Sequence, residues 1–299
     1  MRKELKMAGY VLSCCSTADL NDEHFKKRDI KKVCFHFELD GKQFMDNGEY
    51  PIGDFYQSMA NGAMTKTSQV NTEEYIDHFK PFLEAGKDIL HLTLSSGISG
   101  TINSANIAAS ILRDEFPDRK IYIVDSLAAS SGYGLLMDTL ADKRDAGMGI
   151  DELKYWAEDH RLELNHWFFT TDLTYLVRGG RVSRAAGFFG GALKICPLLN
   201  VDYEGHLIAR AKLRGKPAVI KAAAQKMLEC ANNGADYDGK CYISQSACRG
   251  DADALIAEIE EMIPAMKGKI EVYDIGTTIG SHTGPGTVAL FFWGSKRVD

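Results

Sequence analysis

A chain of 299 residues, 45% hydrophobic and 25% charged, is long enough for a full buried core and sits near the length at which one core divides into two. Its net charge of -6 gives no global attraction to nucleic acid or anionic lipid surfaces, leaving only local basic patches. The seven cysteines (Cys14, Cys15, Cys34, Cys196, Cys230, Cys241 and Cys248) are odd in number and scattered, with no C-x-x-C pair and no His partner at metal spacing; they read as reduced thiols of a cytoplasmic protein without a metal site.

The opening stretch MRKELKMAGYVLSCCS is basic, but its apolar run is far shorter than a membrane span, and a signal peptide is not expected. YVLSCC and VCFHFEL are β-rich runs, and ELDGKQF, residues 38 to 44, is a hairpin signal. IGDFYQSMANG follows as a helix. In NTEEYIDHFKPFLEAGKD, Asn71 with Glu74 marks a helix start and Gly86 a stop. DILHLTLSS and KIYIVDS are short, apolar and rich in Ile, Leu and Val, as buried parallel strands are, and a helical pattern follows each.

This alternation predicts an α/β architecture with a mainly parallel sheet through about residue 160, Asp151 opening the crossing helix DELKYWAEDHRLEL. From His166 the texture changes. HWFFTTDLTYLVRGGRVSR, CPLLNVDYEGHLIARAKLR, KCYISQSA, IEVYDIGTTIG and TVALFFWG are strands separated by turns as often as by helices, with DYEGHL a second hairpin signal. The expected organisation is two α/β domains, residues 1–160 with a parallel sheet and 161–299 with a mixed or antiparallel one.

Ligands of a parallel α/β sheet bind beyond the carboxyl ends of its strands, and SSGISG, residues 95 to 100, lies at such an end. A helix amino terminus offers unpaired N–H groups and a positive partial charge, suited to an anion. Gly97 and Gly100 allow close backbone approach while Ser95, Ser96 and Ser99 supply hydroxyls; a serine N-cap with turn glycines accounts for the same residues equally well. Thr67, Ser68 and Gln69 form a polar run ahead of the next helix and reach the same ligand if the loops are neighbours. IGSHTGPG, 279 to 286, sets His282 and Thr283 in a Gly-Pro-Gly setting before the last strand, fixing an imidazole for hydrogen bonding or proton transfer. LVRGGRVSR, 176 to 184, reads as a helix end with Arg178, Arg181 and Arg184 around it. These arginines complement the helix dipole, or Arg181 contacts an anion. Lys212, Arg214 and Lys216 form a second basic cluster that reads as solvated surface.

Several chemistries are missing. There is no G-x-x-x-x-G-K-[ST], no G-x-G-x-x-G after the first strand and no G-x-S-x-G elbow. Ser96, His282 and Asp125 form a triad only if the fold assembles one.

Taken together, STADL (16 to 20), DGKQFMDNGEYPIGDFY (40 to 56), TSQVN (67 to 71), LSSGISGTINSA (94 to 105), VDSLAASSGYG (124 to 134), LTYLVRGGRVSR (173 to 184), PLLNVDYEGHL (197 to 207), AKLRGK (211 to 216) and SHTGPGTVAL (281 to 290) resemble the DegV family along nearly the whole chain. The family comprises bacterial fatty-acid-binding proteins that act as acyl-carrying subunits of a fatty acid kinase. The resemblance implies a two-domain α/β protein with a ligand tunnel near the domain crevice, a long-chain fatty acid as ligand, no further cofactor, and a separate ATP-dependent kinase as partner, with transient membrane contact for acyl exchange. It implies carboxylate binding by Thr67 and Ser96, with Ser95 the second choice, Gly97 in the same turn, and His282 and Thr283 nearby. Arg181 and Arg214 are implied contacts for the kinase.

Two departures stand out. The family's first strand usually ends in Thr-Asp-Ser, where this chain has Cys14, Cys15 and Ser16, and Val70 replaces a usual proline. The ligand class agrees with the physics: a buried carboxylate needs hydroxyls and N–H donors, and about sixteen carbons at roughly 0.8 kcal/mol per methylene offer on the order of 10 kcal/mol before association costs.

Two other readings stay open on the residues alone. One is a hydrolase or acyltransferase with Ser96 or Cys15 as nucleophile and His282 as base. The other is a binding protein for a different small anion. Phe188, Phe189, Leu193 and Ile195 are the guesses for tunnel lining, although RAAGFFGGALKICPLL reads better as a plain core helix.

Overall fold

The computed structural model of the chain describes residues 9–182 and 195–298. Strand β1 (Tyr10–Cys15) buries four consecutive side chains, Leu12 to Cys15, as a central strand covered on both faces must. β2 (Ile30–Val33) pairs with it in parallel after the short helix α1 (Asp22–Lys27). The run VCFHFEL is therefore two strands, because β3 (His36–Leu39) leaves for a second sheet. There it pairs antiparallel with β4 (Lys42–Met45) on one side and β5 (Thr65–Ser68) on the other. Asp40 and Gly41 both take positive φ in the tight turn, as the Asp-Gly hairpin signal requires. Helix α2 (Ile52–Ala60) covers this small sheet, burying Phe55, Tyr56 and Met59 against Phe37 and Leu39.

Helix α3 (Thr72–Glu84) begins with the reciprocal cap that the spacing predicts. The Asn71 side chain accepts from the Glu74 N–H, and the Glu74 carboxylate accepts from the Asn71 N–H. β6 (Asp88–Thr93), α4 (Thr101–Glu115) and β7 (Ile121–Asp125) complete a four-stranded parallel sheet in the order β2-β1-β6-β7. Helices α5 (Ser131–Asp145) and α6 (Ile150–His160) lead into the second half.

The second half is a six-stranded mixed sheet. β8 (Leu164–Thr170) is followed by the five-residue helix α7 (Thr174–Arg178), then by the hairpin of β9 (Ile195–Val201) and β10 (Leu207–Arg214). After α8 (Lys216–Cys230) come β11 (Cys241–Gln245), α9 (Arg249–Met262), β12 (Ile270–Asp274), α10 (Thr277–Thr283) and β13 (Thr287–Trp293). The strand order is β10-β9-β8-β13-β11-β12, antiparallel except for β11 with β12. α8 and α9 cover the outer face through Val219, Met227, Leu255 and Ile259.

The layer between the two large sheets is α5, buried without interruption from Ser131 to Asp138. Two glycines permit that depth. A Cβ on Gly132 would lie 2.5 Å from the His166 ring of β8, and one on Gly134 would lie 2.6 Å from the Ala18 carbonyl on the other side. Asp138 of the same helix accepts from His24, Lys240 and Tyr242 and pairs with Arg28, tying α1 and α5 to β11. The run RAAGFFGGALKICPLL is not one core helix: from Ile195 onward it is β9, while Phe188, Phe189, Leu193 and Arg184 lie outside the described residues. Among the described residues, no helix is long and apolar enough to cross a membrane.

Candidate functional site

A cavity of ≈ 600 Å³ opens between the carboxyl ends of the parallel strands and the inner face of the six-stranded sheet. That volume is in the range of small-molecule sites. One wall is the turn from β6 into α4, contributing Leu94, Ser96, Ile98, Ser99 and Gly100. Another is sheet side chains such as Phe168, Val201, Leu207 and Phe291, and a third is the Thr278–His282 face of α10.

At the polar end, the Thr67 hydroxyl and His282 Nε2 lie 2.8 Å apart. Thr67 sits on a strand, opposite the buried Phe37, so its position is set by a ladder and not by a loop. His282 likewise belongs to the last turn of α10, which closes through the Gly284 N–H on the Gly280 carbonyl; Gly284 then leaves at φ 72. Gly179, at the end of α7, is the clearance for the imidazole, since a Cβ there would overlap His282 Nδ1. Burial, then the nearby Arg181 charge, lowers the His282 pKa to about 4, so the ring is neutral at neutral pH. Its Nδ1 is buried without a hydrogen-bond partner. A neutral ring that donates Nε2–H to Thr67 leaves the threonine hydroxyl proton free for an anionic ligand oxygen.

The serine turn completes this end. Asp125 accepts from the backbone N–H groups of Ser96 and Leu127, holding the turn over the sheet. Ser99 accepts from the Thr101 N–H at the start of α4 and reaches Gln69, whose amide donates to Ser104. The Thr-Ser-Gln and Ser-Ser-Gly segments are thus neighbours on one cavity rim.

A family model described as "Uncharacterised protein, DegV family" matches residues 15–294. The chain belongs to the DegV family. It is 31% identical over 286 residues to a fatty acid-binding protein of Thermotoga maritima, covering 92% of this chain and 94% of that one. A Thermus thermophilus DegV structure, solved in a study of fatty acid binding, superposes with a TM-score of 0.85 at 27% identity, covering 96% and 99% of the two chains. The Fatty Acid Kinase (Fak) B3 protein of Streptococcus pneumoniae, loaded with linoleic acid, shares the fold with a TM-score of 0.82 at 22% identity, covering 96% and 99%.

In this DegV chain the structure brings Thr67, Ser96, His282, Thr283 and Arg181 to the cavity. It does not bring Ser95 or Gly97 there. The Ser95 hydroxyl, fully buried, donates to the Gly205 carbonyl and accepts from the Gly97 N–H, and a Cβ on Gly97 would lie 2.6 Å from that carbonyl. Both residues seat the turn on the β9–β10 hairpin. Arg214 is at the far end of β10 from the cavity-lining Leu207, roughly 20 Å along the strand.

Nor does the structure assemble the nucleophile arrangements. Cys15 is buried away from the cavity lining, with Sγ 3.2 Å from the Tyr75 hydroxyl and 3.7 Å from His91 Nε2, and burial pushes its thiol up to about 12. Asp125 bonds backbone amides and His282 bonds Thr67, so Ser96, His282 and Asp125 form no relay among the described residues. Sequence reasoning missed His166 and Thr278 as cavity residues. The only signal for His166 was strand alternation, which puts it on the face of Phe168.

Proposed function

We propose that this protein binds a long-chain fatty acid in the cavity, presents the carboxylate to a separate ATP-dependent fatty acid kinase, and holds the acyl phosphate that results. The observation that carries the reading is the Thr67–His282 pair at one end of a cavity whose deeper walls are mainly apolar. The carboxylate takes hydrogen bonds from the Thr67 and Ser96 hydroxyls beside the amino terminus of α4, while the acyl chain replaces water against Leu94, Phe168, Leu207 and Phe291. Thr283 contributes less directly, because its hydroxyl donates to the Ile279 carbonyl.

On this reading the chain positions a substrate and the kinase supplies the phosphoryl chemistry, so the chain needs no cofactor of its own. The kinase part draws support from the fold shared with the pneumococcal protein. Arg181, on the cavity rim, and the exposed Arg214 are the proposed kinase contacts. Acyl exchange would use transient contact with a lipid surface.

The test is mass spectrometry of the native protein with identification of the molecule released on denaturation, followed by incubation with ATP and fatty acid. The expected result is one fatty acid per chain, diminished in Thr67→Ala and Ser96→Ala variants, and no acyl phosphate, trapped as a hydroxamate, until a kinase is added. Acyl phosphate formed by this protein and ATP alone, or a chain that retains no fatty acid, overturns the reading.

A further inference from the structure

The inner wall of the cavity carries a histidine that fatty-acid binding, as proposed above, does not use. His166 is 1% exposed, lines the cavity, and has no hydrogen-bond partner on either ring nitrogen. Its depth follows from the β8–β13 ladder, in which Thr170 faces Thr287, Phe168 faces Ala289, and His166 faces Phe291. The Thr287 hydroxyl donates to the carbonyl of Thr283, the residue after His282, so that end of the ladder lies beside the polar end of the cavity. His166 is four residues further along β8, roughly 13 Å inward.

The neighbours of the imidazole do not account for it. Gly132 packs against one edge and Phe291 meets the ring at 5.3 Å in an edge arrangement. Burial, helped by the Arg297 charge, keeps the ring neutral; the Leu164 backbone opposes that shift without reaching hydrogen-bond geometry. One nitrogen therefore offers a proton and the other a lone pair, both unmet. Buried polar groups in folded proteins are nearly always paired, and an unpaired one is costly. The Thr278 hydroxyl, 3% exposed and lining the same cavity, is also without a partner. It lies on α10 one turn before His282, roughly 6 Å along the axis. The cavity interior thus offers hydrogen-bonding capacity that an unsubstituted acyl chain leaves unused.

We propose that His166 is a specificity-determining residue and that the preferred ligand is a long-chain acid bearing a hydroxyl group along the distal part of its chain. The proposal rests on the fatty-acid reading of the cavity. A hydroxyl both donates and accepts, so it satisfies a neutral imidazole in either tautomer. A second carboxylate fits poorly, because it would bring an uncompensated charge to a neutral ring in an apolar wall. A site built to bond a hydroxyl discriminates against the chain that lacks it, whereas a plain apolar pocket does little to sort the two.

The test compares ricinoleic acid with oleic acid, which differ by one hydroxyl in the distal half of the chain, as competitors for a fluorescent fatty acid on the delipidated full-length protein. Ricinoleate should bind about tenfold more tightly, the value of one net hydrogen bond. His166→Phe should bring the ratio of the two affinities to unity or below. Equal binding, or tighter binding of oleate, by the wild type overturns the polar subsite and leaves the fatty-acid reading standing. Failure of both acids to bind overturns the fatty-acid reading itself and the inference with it. Because a larger ring against Gly132 can disturb folding, the nitrogen resonances of His166 in the wild type give a second readout. Ricinoleate should shift them and oleate should not; equal shifts count against the proposal.

Discussion

Replacing Thr67 by Val removes one hydroxyl and little else. Valine is nearly the same shape and suits the strand position that Thr67 occupies on β5. If the hydroxyl bonds the bound carboxylate, a hydrogen bond to a charged group is lost, worth about 1.5–3 kcal/mol, so affinity should fall roughly 10- to 150-fold. The variant also takes the partner from His282 Nε2, which lies 2.8 Å from Thr67 Oγ1. Because the imidazole is only partly exposed, the empty protein should lose about 1 kcal/mol of stability. Displacement of a fluorescent fatty acid measures the first effect and urea unfolding of the delipidated protein the second. The methyl ester of the same fatty acid separates the head group from the chain. It should bind the wild type more weakly than the acid does, and Thr67→Val should cost the ester less than it costs the acid, since the ester keeps an acceptor oxygen but not the charge that strengthens the bond. A folded Thr67→Val protein that binds the free acid as tightly as wild type would place the carboxylate elsewhere.

Ser95→Ala should act on the fold, not on the ligand. It leaves the Gly205 carbonyl and Gly97 N–H short of a buried partner, costing about 1–3 kcal/mol in urea unfolding, with a smaller loss of affinity than Thr67→Val. Gly179→Ala introduces a Cβ into the space of His282 Nδ1, so affinity should fall and the His282 resonances should move; unchanged values in both measurements would contradict the packing. Acid should destabilise the empty protein. His78 and His282 are held near pKa 4 by burial, against about 6.5 unfolded, so their contribution is complete above pH 6.5 and is lost as pH falls toward 4. At about pH 5 the loss is about 2 kcal/mol for each ring, read as a lower urea midpoint than at about pH 7. A bound carboxylate opposes the His282 shift, so the liganded protein should lose less; equal midpoints at the two pH values would refute the burial argument.

What was legible in the sequence was local. The Asn71–Glu74 cap, the Asp40-Gly41 turn and the hairpin at Asp202 to Leu207 are written in residues a few positions apart, and each forms as read. The parallel first sheet and mixed second sheet followed from the same alternation of patterns. The site is different in kind. Thr67 and His282 are separated by 215 positions, and Ser95 and Gly205 by 110; nothing local announces either contact. Family resemblance pointed to Thr67, Ser96 and His282, but motif identity does not say which serine of a pair faces the cavity. That choice is made by the β9–β10 hairpin, which takes the Ser95 hydroxyl. His166 was invisible for a related reason: one histidine in an apolar strand has the same pattern whether it packs in a core or faces a ligand.

Cys14 and Cys15, which depart from the pattern that the resemblance implies, are fully buried and lie behind the cavity wall. Cys15 Sγ meets the Tyr75 hydroxyl, and Tyr75 in turn meets the Thr101 hydroxyl at 2.8 Å, at the first residue of α4. The thiol therefore supports the helix whose amino terminus faces the cavity, without itself lining the cavity. A thiol pushed up to about 12 is neutral and a poor nucleophile at neutral pH. Two outcomes follow. A small thiol reagent should label the partly exposed Cys34 and Cys248 before Cys15, and bound fatty acid should not change the rate at Cys15. Cys15→Ser should keep fatty-acid affinity within about threefold of wild type, because a hydroxyl preserves the contact with Tyr75. Fast labelling of Cys15 that fatty acid blocks would mean that the thiol opens into the cavity after all, and the acyltransferase reading would then have its nucleophile.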